Sequence, residues 1–471
     1  MACPRILIAG TQSGVGKTTV TLGLVAAFKR RGLTVQTYKV GPDFLDPSYL
    51  ERASGRPCYN LDGWMAGETY VKELFARTAR TADIAIIEGV MGLFDGADPA
   101  NREGSTAEIA CWLDAPVLLV VNTHGLAGSI AALVAGYADF EPRLRIAGVL
   151  ANHCGSERHE IWLAASLNAA SLPPLTGAIP RNALPELHSR HLGLVTADSR
   201  SLPEAALGEL ASALERHVPL DGIIKMAGSA PALTMVIPDD KPLPQHYAIG
   251  VARDEAFHFY YQDLFDTLER NGCTVKFFSP VADARLPEGI DALYFGGGYP
   301  EEHAGALAAN REMIDAIRLF SKTRRPVYAE CGGLMYLCRN LEDSKGARHE
   351  MTGLIPADTR MLDRKKTLGY VEVTLNDDSL WGREGTVLKG HEFHYSELAG
   401  NPASDPAWQT VYSVKRRFSN KSTKEGFQRG LILASYTHLH LPSRPEAVKY
   451  FLNRLGTNRK DHQERQEKHH E

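Results

Sequence analysis

The sequence contains no apolar run near the roughly 18–20 residues that a membrane-crossing helix needs. The strongest run, Ala115–Val121, is strand-sized. A secretory leader is not legible either: Met1–Gly10 carries one arginine and a few apolar residues and passes straight into a glycine-rich loop. The expected location is therefore the cytoplasm, with no membrane partner. Charge of one sign is also lacking. Lys and Arg total 52 against 56 Asp and Glu, a formal net charge of -4, which argues against a global nucleic-acid or anionic-lipid footprint but not against a local basic pocket. Cysteine is sparse. The seven residues, Cys3, Cys58, Cys111, Cys154, Cys273, Cys331 and Cys338, are scattered without CxxC spacing. They read as free thiols in a reducing compartment, one or two of them chemically special at most.

Apolar residues make up 44% and charged residues 23% of the 471, an ordinary globular balance, and the length allows two or three domains. In the first half, β-like runs (Arg5–Ala9, Thr34–Val40, Ile84–Ile87, Val117–Val121, Ile146–Leu150) alternate with helix-length segments such as Lys17–Arg31 and Glu68–Arg80. Such alternation predicts a parallel sheet covered on both faces, with ligands at the carboxyl ends of its strands. Pro219, Gly222, Gly228, Pro231, Pro238, Pro242 and Pro244 crowd the stretch that follows. Alternation then restarts: strand Ala248–Ala252, helix Ala256–Arg270, strands Val275–Phe278 and Ala292–Phe295, a helix near Glu301–Ser321, strand Pro326–Ala329. The expected organisation is α/β, two domains, each a mostly parallel sheet with helices on both faces. They occupy residues 1–222 and 246–456, joined by a Pro-rich linker (223–245) and followed by a frayed polar tail (457–471).

Two regions carry chemistry. The first is Arg5-Ile-Leu-Ile-Ala-Gly10-Thr-Gln-Ser-Gly14-Val-Gly16-Lys17-Thr18-Thr19, a strand, a glycine-rich loop and a helix start. Inward-facing amides wrap phosphate oxygens, Lys17 reaches the β/γ phosphates and the Thr18 hydroxyl holds Mg²⁺. The usual first glycine falls on Thr11, with glycine one place earlier. Lys39-Val-Gly-Pro-Asp43-Phe-Leu-Asp46-Pro follows the second strand and Glu88-Gly-Val-Met-Gly-Leu-Phe-Asp95-Gly the third. Asp43 and Glu88 each close an apolar strand and are the expected magnesium ligands beside Thr18. Asp46 and Asp95 read equally well as turn or cap residues or as groups that orient a substrate or intermediate.

The second region is Val327-Tyr-Ala-Glu330-Cys331-Gly-Gly-Leu-Met-Tyr. A strand ends, a cysteine sits on a tight turn and a helix opens on two glycines, a layout that presents a thiolate. Cys338, about two turns on, reads as core. Ile432-Leu-Ala-Ser-Tyr-Thr-His438-Leu-His440 offers a base. Asp291-Ala-Leu-Tyr-Phe-Gly296-Gly297-Gly298-Tyr-Pro-Glu301 runs a strand into three glycines whose amides, Gly297 and Gly298 above all, suit an oxyanion hole. Strand alternation puts Glu330 on the face opposite to the thiol, so it is not expected as a third catalytic member. His391, Glu392 and His394 in Gly390–Ser396 alternate along an aromatic strand and lack a zinc-binding helical spacing. Arg360, Arg364, Lys365 and Lys366 form a basic run, usually just a solvated turn, though a polycarboxylate substrate would also suit it.

The first set of motifs resembles the dethiobiotin-synthetase-like branch of P-loop proteins. Gly-Thr-x-Ser-Gly-Val-Gly-Lys-Thr-Thr, Lys-Val-Gly-Pro-Asp-Phe-x-Asp-Pro, the Glu88–Gly96 segment and Gly104-Ser-Thr-Ala-Glu108 are similar to the a,c-diamide synthases of cobyrinic acid. The ordered set strand–GGGYPE, strand–ECGG and strand–YxH resembles class I glutamine amidotransferases. By motif position His438 is the base. His440 stands where most of that class has a glutamate, which implies a Cys331–His438 dyad.

The resemblance implies an ATP- and glutamine-dependent carbon–nitrogen ligase. Gly14, Gly16, Lys17, Thr18 and Thr19 would bind ATP with Mg²⁺, and Asn152 would read adenine. Phosphoryl transfer would activate the c and then the a acetate of a corrin ring, and ammonia would cross a sheltered passage between the domains. Cobyrinic acid and glutamine are the implied partners. Hydrogenobyrinic acid or nickel sirohydrochlorin stays open as the ring, and a partition-type ATPase switch is a more remote alternative. A homodimer is left open as the assembly.

Overall fold

The structure is a computed structural model. It describes residues 3–185, 189–190, 193–194, 201–233, 243–244, 246–364, 366–419 and 421–468, with side chains left aside for 189–190, 193–194 and 457–468. Lys365, much of the expected linker (234–242 and 245) and the last residues of the tail (469–471) lie outside the described residues. The chain forms two compact units, Met1–Asp239 and Asp240–Glu471. Among the described residues no helix is long and apolar enough to cross a membrane.

In the first unit the strands β1 (Arg5–Gly10), β2 (Val35–Val40), β3 (Tyr59–Leu61), β4 (Ile84–Glu88), β5 (Val117–Asn122), β6 (Ile146–Cys154) and β7 (Leu175–Pro180) form one parallel sheet in the order β3-β2-β4-β1-β5-β6-β7. The short strand β3 and the partly buried β7 escape the sequence pattern. Alternation along β1 sends Leu7 and Ala9 into one core and Ile6 and Ile8 into another, as a sheet covered on both faces requires. The helices Lys17–Arg30 and Glu204–His217 cover the Ile6 side, and Gly63–Thr78 and Thr106–Trp112 the other. Register brings Ile8 and Lys39 level with Glu88, so three strand ends meet at one edge. A further helix, Leu220–Gly228, occupies the start of the stretch expected to be linker.

The second unit holds a ten-stranded sheet. Cys273–Phe278, Tyr247–Ala252, Ala292–Phe295, Val327–Glu330 and Ile432–Ser435 pair parallel in that order. From Ile432–Ser435 the sheet continues antiparallel through Ser422–Arg429, Gln409–Arg416, Thr367–Leu375 and Val387–His394 to His438–Leu439. Only two residues separate the last strand from Ser435, so the antiparallel half curls round until it nearly meets its own start. This half is the part of the α/β architecture that alternation of strands and helices does not foretell.

Three local expectations change. The helix expected from Ala256 begins at Gln262. Asp254 turns the chain by accepting from the amides of Ala256 and Phe257, and Phe259 bridges to Gly297. Glu301–Ser321 divides into Ala304–Ala309 and Arg311–Lys322, because Asn310 leaves helical geometry and caps the second helix. The helix Pro445–Lys468 extends through most of the tail expected to be frayed.

Candidate active sites

In the first unit the glycine-rich loop joins β1 to the helix Lys17–Arg30. Gly14 and Gly16 have φ of 78° and 95°, the left-handed region that glycine enters without penalty. A side chain at Gly16 would also place its Cβ 2.4 Å from Asn152 Nδ2, and at Gly10 2.6 Å from Val15 Cγ2. The second contact explains why glycine stands at position 10.

Beneath the loop, four side chains from four elements converge. Thr18 Oγ1 donates to Glu88 Oε1 at 2.6 Å. Lys39 Nζ donates to the same oxygen at 2.8 Å and pairs with Asp46 Oδ2 at 2.5 Å. Glu88 is fully buried, and its Oε2 has no hydrogen-bond partner. Burial pushes its carboxyl up to about 7 even though Lys39 opposes the shift. Asp43 is raised to about 6 by burial and by Asp46. Asp46 stays below the usual range because Lys39 outweighs its burial. Lys39 is in turn held charged by Asp46 and Glu88 against its own desolvation. Lys17 is lowered by burial and by Lys39, and it donates to the carbonyls of Met91 (2.5 Å) and Gln12 (3.3 Å).

A cleft of about 590 Å³ lies over this cluster, lined by Gly14, Gly16, Lys17, Thr18, Thr19, Lys39, Asp43, Asp46 and Asn152 among others. Glu88 and Asp95 are not part of its lining. Asp43 Oδ1 accepts from the amides of Leu45 and Asp46 and opens the helix Leu45–Ser54. Asp95 Oδ2 accepts from Gly92 N at 2.7 Å and closes a turn. Asn152 Nδ2 donates to Val15 O at 2.8 Å, which ties the end of β6 to the loop.

Among the described residues no three His, Cys, Asp or Glu side chains converge as a ready metal cage. Mg²⁺ needs no such cage, since it is usually held by one or two carboxylates, a hydroxyl, water and substrate phosphates. The unpartnered Glu88 Oε2 beside Thr18 fits that donor set.

In the second unit Cys331 ends the strand Val327–Glu330 with φ 47° and ψ −102°. Such backbone in a non-glycine residue costs roughly 1–3 kcal/mol and is retained where the surroundings enforce it. Here Cys331 N donates to Ser435 O at 2.8 Å. The helix that follows, Gly332–Leu337, is short, so the main partner for a thiolate is the imidazole of His438. Burial works against a charge on His438, yet hydrogen bonding to Cys331 and to Glu330 carries it up to about 10. The glycine run abuts the same ring: a Cβ on Gly297 would lie 2.5 Å from His438 Cε1. The amide of Gly298 lies 3.1 Å from where a Cβ on Gly332 would stand, beside the thiol.

Residues 6–195 match the CobQ/CobB/MinD/ParA nucleotide binding domain, and residues 248–446 the CobB/CobQ-like glutamine amidotransferase domain. The cobyrinate a,c-diamide synthase of Syntrophotalea carbinolica is 56% identical over 96% of this chain and 99% of its own length. The chain belongs to the cobyrinate a,c-diamide synthase family. Proteins of the same name from Leptospira interrogans (95% of this chain, 98% of theirs) and Dehalococcoides mccartyi (96% and 98%) are each 41% identical to it. A nucleotide-binding domain joined to a glutamine amidotransferase domain is the build of a glutamine-hydrolysing amidoligase.

Sequence reasoning missed three residues of these sites. Lys39 was visible only as part of a motif, although a lysine ending a wholly buried strand is itself a signal that a carboxylate waits nearby. His391 stacks on His438, with ring centroids 5.0 Å apart and an interplanar angle of 17°, and accepts or donates through Nδ1 to Tyr261 Oη at 2.9 Å. Glu330 corrects an expectation: its Oε2 lies 3.5 Å from His438 Nδ1. Strand alternation puts Glu330 away from the thiol, but the positive φ at Cys331 breaks that alternation, and His438 arrives from a different strand between the two.

His440 does not join Cys331. Its Nε2 lies 3.3 Å from Asp263 and its Nδ1 3.0 Å from Ser443 Oγ. His394 stacks on Tyr436 and Glu392 pairs with Arg416 at 2.7 Å. Arg360 and Lys366 of the basic run both pair with Glu397, at 2.5 and 2.8 Å; Arg360 sits not in a turn but on the strand Asp358–Met361, directly opposite Glu397 of the antiparallel strand Ser396–Ala399.

Proposed function

We propose that this chain converts the a and c acetate carboxylates of cobyrinic acid into amides, using ATP and glutamine. The names of its relatives supply the substrate, and the Thr18–Glu88–Lys39–Asp46 cluster under a phosphate-binding loop is the observation that carries the reading. A carboxylate resists attack because its charge repels nucleophiles and oxide is a poor leaving group. Transfer of the ATP γ-phosphoryl gives an acyl phosphate, which ammonia attacks to form the amide and release phosphate.

Gly14, Gly16 and Thr19 offer loop and helix-start groups to the nucleotide phosphates, and Lys17 leaves the Met91 carbonyl for them. Thr18 and Glu88, with Asp43 close by, would hold Mg²⁺, which when bound neutralises developing charge on the phosphoryl oxygens. Asp46, in the cleft wall, orients the carboxylate or its phosphate, whereas Asp95, expected to share that role, closes the turn at Gly92 outside the lining. Asn152 keeps the loop in shape, and an adenine contact is compatible with its place in the cleft.

At the thiol, Cys331 attacks the side-chain amide of glutamine and His438 gives the departing nitrogen its proton, leaving a thioester and ammonia. The amides of Gly297 and Gly298 face the oxyanion. Water then releases glutamate, with His438 as base.

The test separates the two chemistries. Cys331→Ala is expected to lose glutamine-driven synthesis and keep synthesis driven by ammonium, with two successive acid-to-amide mass changes on cobyrinic acid. Failure of ammonium to rescue the variant would overturn the division of labour. Absence of product from wild type with any tetrapyrrole acid would overturn the substrate.

A further inference from the structure

We propose that Glu330, the residue preceding the thiol, is the positioning carboxylate of the glutaminase site, holding the imidazole of His438 in register with Cys331. The inference rests on the reading of Cys331 and His438 given above and goes beyond the dyad that the sequence implies. Three observations carry it. Glu330 Oε2 stands 3.5 Å from His438 Nδ1, with both side chains almost fully buried. The carboxylate is itself fixed: Oε2 accepts from Tyr294 Oη at 2.9 Å, and Oε1 accepts from Tyr328 Oη at 2.6 Å and from Leu439 N at 3.1 Å. The last bond comes from the residue after His438, so one carboxylate grips both the ring and its backbone. The position where this class more often carries a glutamate is filled by His440, which faces Asp263 and Ser443 instead.

The groups around His438 can be named from each element. Cys331 and Glu330 face it from the elbow, and His391 stacks on it from Val387–His394. Glu392 and His394 of that strand act on it from further off. His391 is kept neutral by burial and by His438 itself, and Glu330 is the carboxyl group that faces Nδ1. In the reaction the proton shared by Cys331 and His438 rests on the imidazole, the thiolate attacks the amide carbon, and His438 passes that proton to nitrogen as the C–N bond breaks. Glu330 faces Nδ1, fixing the orientation of the ring and offsetting the imidazolium charge, as the carboxylate of a serine-protease triad does.

The experiment uses the full chain and two readouts, steady-state glutaminase activity and the pH dependence of Cys331 alkylation by iodoacetamide. Glu330→Gln is expected to lower glutaminase kcat about 10²- to 10³-fold while KM for glutamine moves less than about threefold. Its alkylation midpoint moves to higher pH, because the thiolate loses a charged imidazolium partner. Glu330→Asp, which keeps the charge and shortens the reach, is expected between the two, and it carries the test alone should the amide variant not fold. Unchanged kcat, or a lower kcat with an unmoved alkylation midpoint in whichever variant folds, overturns the proposal, because a purely structural role would not move the midpoint. Cys331→Ala separates this failure from that of the underlying reading. Glutaminase activity surviving in that variant removes the thiol mechanism itself, whereas its loss beside a fully active Glu330→Gln removes only the role of Glu330.

Discussion

Replacing Lys39 by methionine deletes the cation between two buried carboxylates and leaves the volume nearly unchanged. Lys39 Nζ lies 2.8 Å from Glu88 Oε1 and 2.5 Å from Asp46 Oδ2, and its side chain is only 3% exposed. Removing one partner of such a buried pair costs about 3–5 kcal/mol, chiefly because the remaining charge is stranded. At about 1.4 kcal/mol per tenfold, the lower bound is roughly a hundredfold rise in proton affinity, assigned to Glu88 as the fully buried acid of the two. Glu88 already titrates near 7 in the presence of the lysine. At pH 7.5 its ionised fraction would therefore fall from about three quarters to a few per cent. A protonated Glu88 is a poor magnesium ligand, so ATP-dependent synthesis should drop at least about twentyfold. The assay is product formation with ammonium as nitrogen source, which bypasses Cys331, followed from pH 6.5 to 9.5. Partial recovery at the alkaline end is expected, with Cys331 alkylation unaltered as a check on the second unit. Wild-type rates at pH 7.5, or a deficit that does not ease as pH rises, would refute the assignment of Lys39 as the group that keeps Glu88 ionised.

Two further outcomes follow from the same geometry. The raised Glu88 carboxyl is protonated below about 7 in the folded protein and near its ordinary value when unfolded. Its ionisation is therefore costly to the fold as pH rises towards 7, and metal binding has to displace a proton. Mn²⁺ affinity, measured with a non-hydrolysable ATP analogue, should climb with pH through about 7 and then level off. Glu88→Gln should flatten that rise and abolish synthesis from either nitrogen source, and a Gln variant active with ammonium would count against the metal role. At the other site, Gly297→Ala places a methyl 2.5 Å from His438 Cε1 and should push the imidazole out of line. Glutaminase kcat is expected to fall at least about a hundredfold, while synthesis with ammonium stays within about twofold of wild type. An unaffected glutaminase would show that the ring has room the packing denies it.

The elements of the first unit were legible because parallel strands buried on both faces write themselves as continuous apolar runs, such as Arg5–Gly10 and Val117–Asn122. The loop glycines and the helix opening at Lys17 were legible for a related reason, since left-handed backbone at Gly14 and Gly16 restricts the choice of residue. The strands β3 and β7 were not, being short or only partly buried. The irregular stretch Ala256–Tyr261 also escaped, because its helical composition is overruled by a turn at Asp254 and a bridge to Gly297.

Local order along the chain thus determined which residues could bind phosphate and which thiol could react, since both depend on neighbours within a few positions. It did not determine who stands beside whom across strands. Lys39 meets Glu88 because register aligns two strand ends that are 49 residues apart. His391 and Glu330 meet His438 because an antiparallel sheet curls back on its own start, and because one positive φ at Cys331 cancels the two-residue alternation on which any reading of strand faces depends. Periodicity is a property of a single strand. Pairing, closure and buried charge belong to the assembled sheet, where desolvation makes each carboxylate and imidazole depend on partners that the linear order does not reveal.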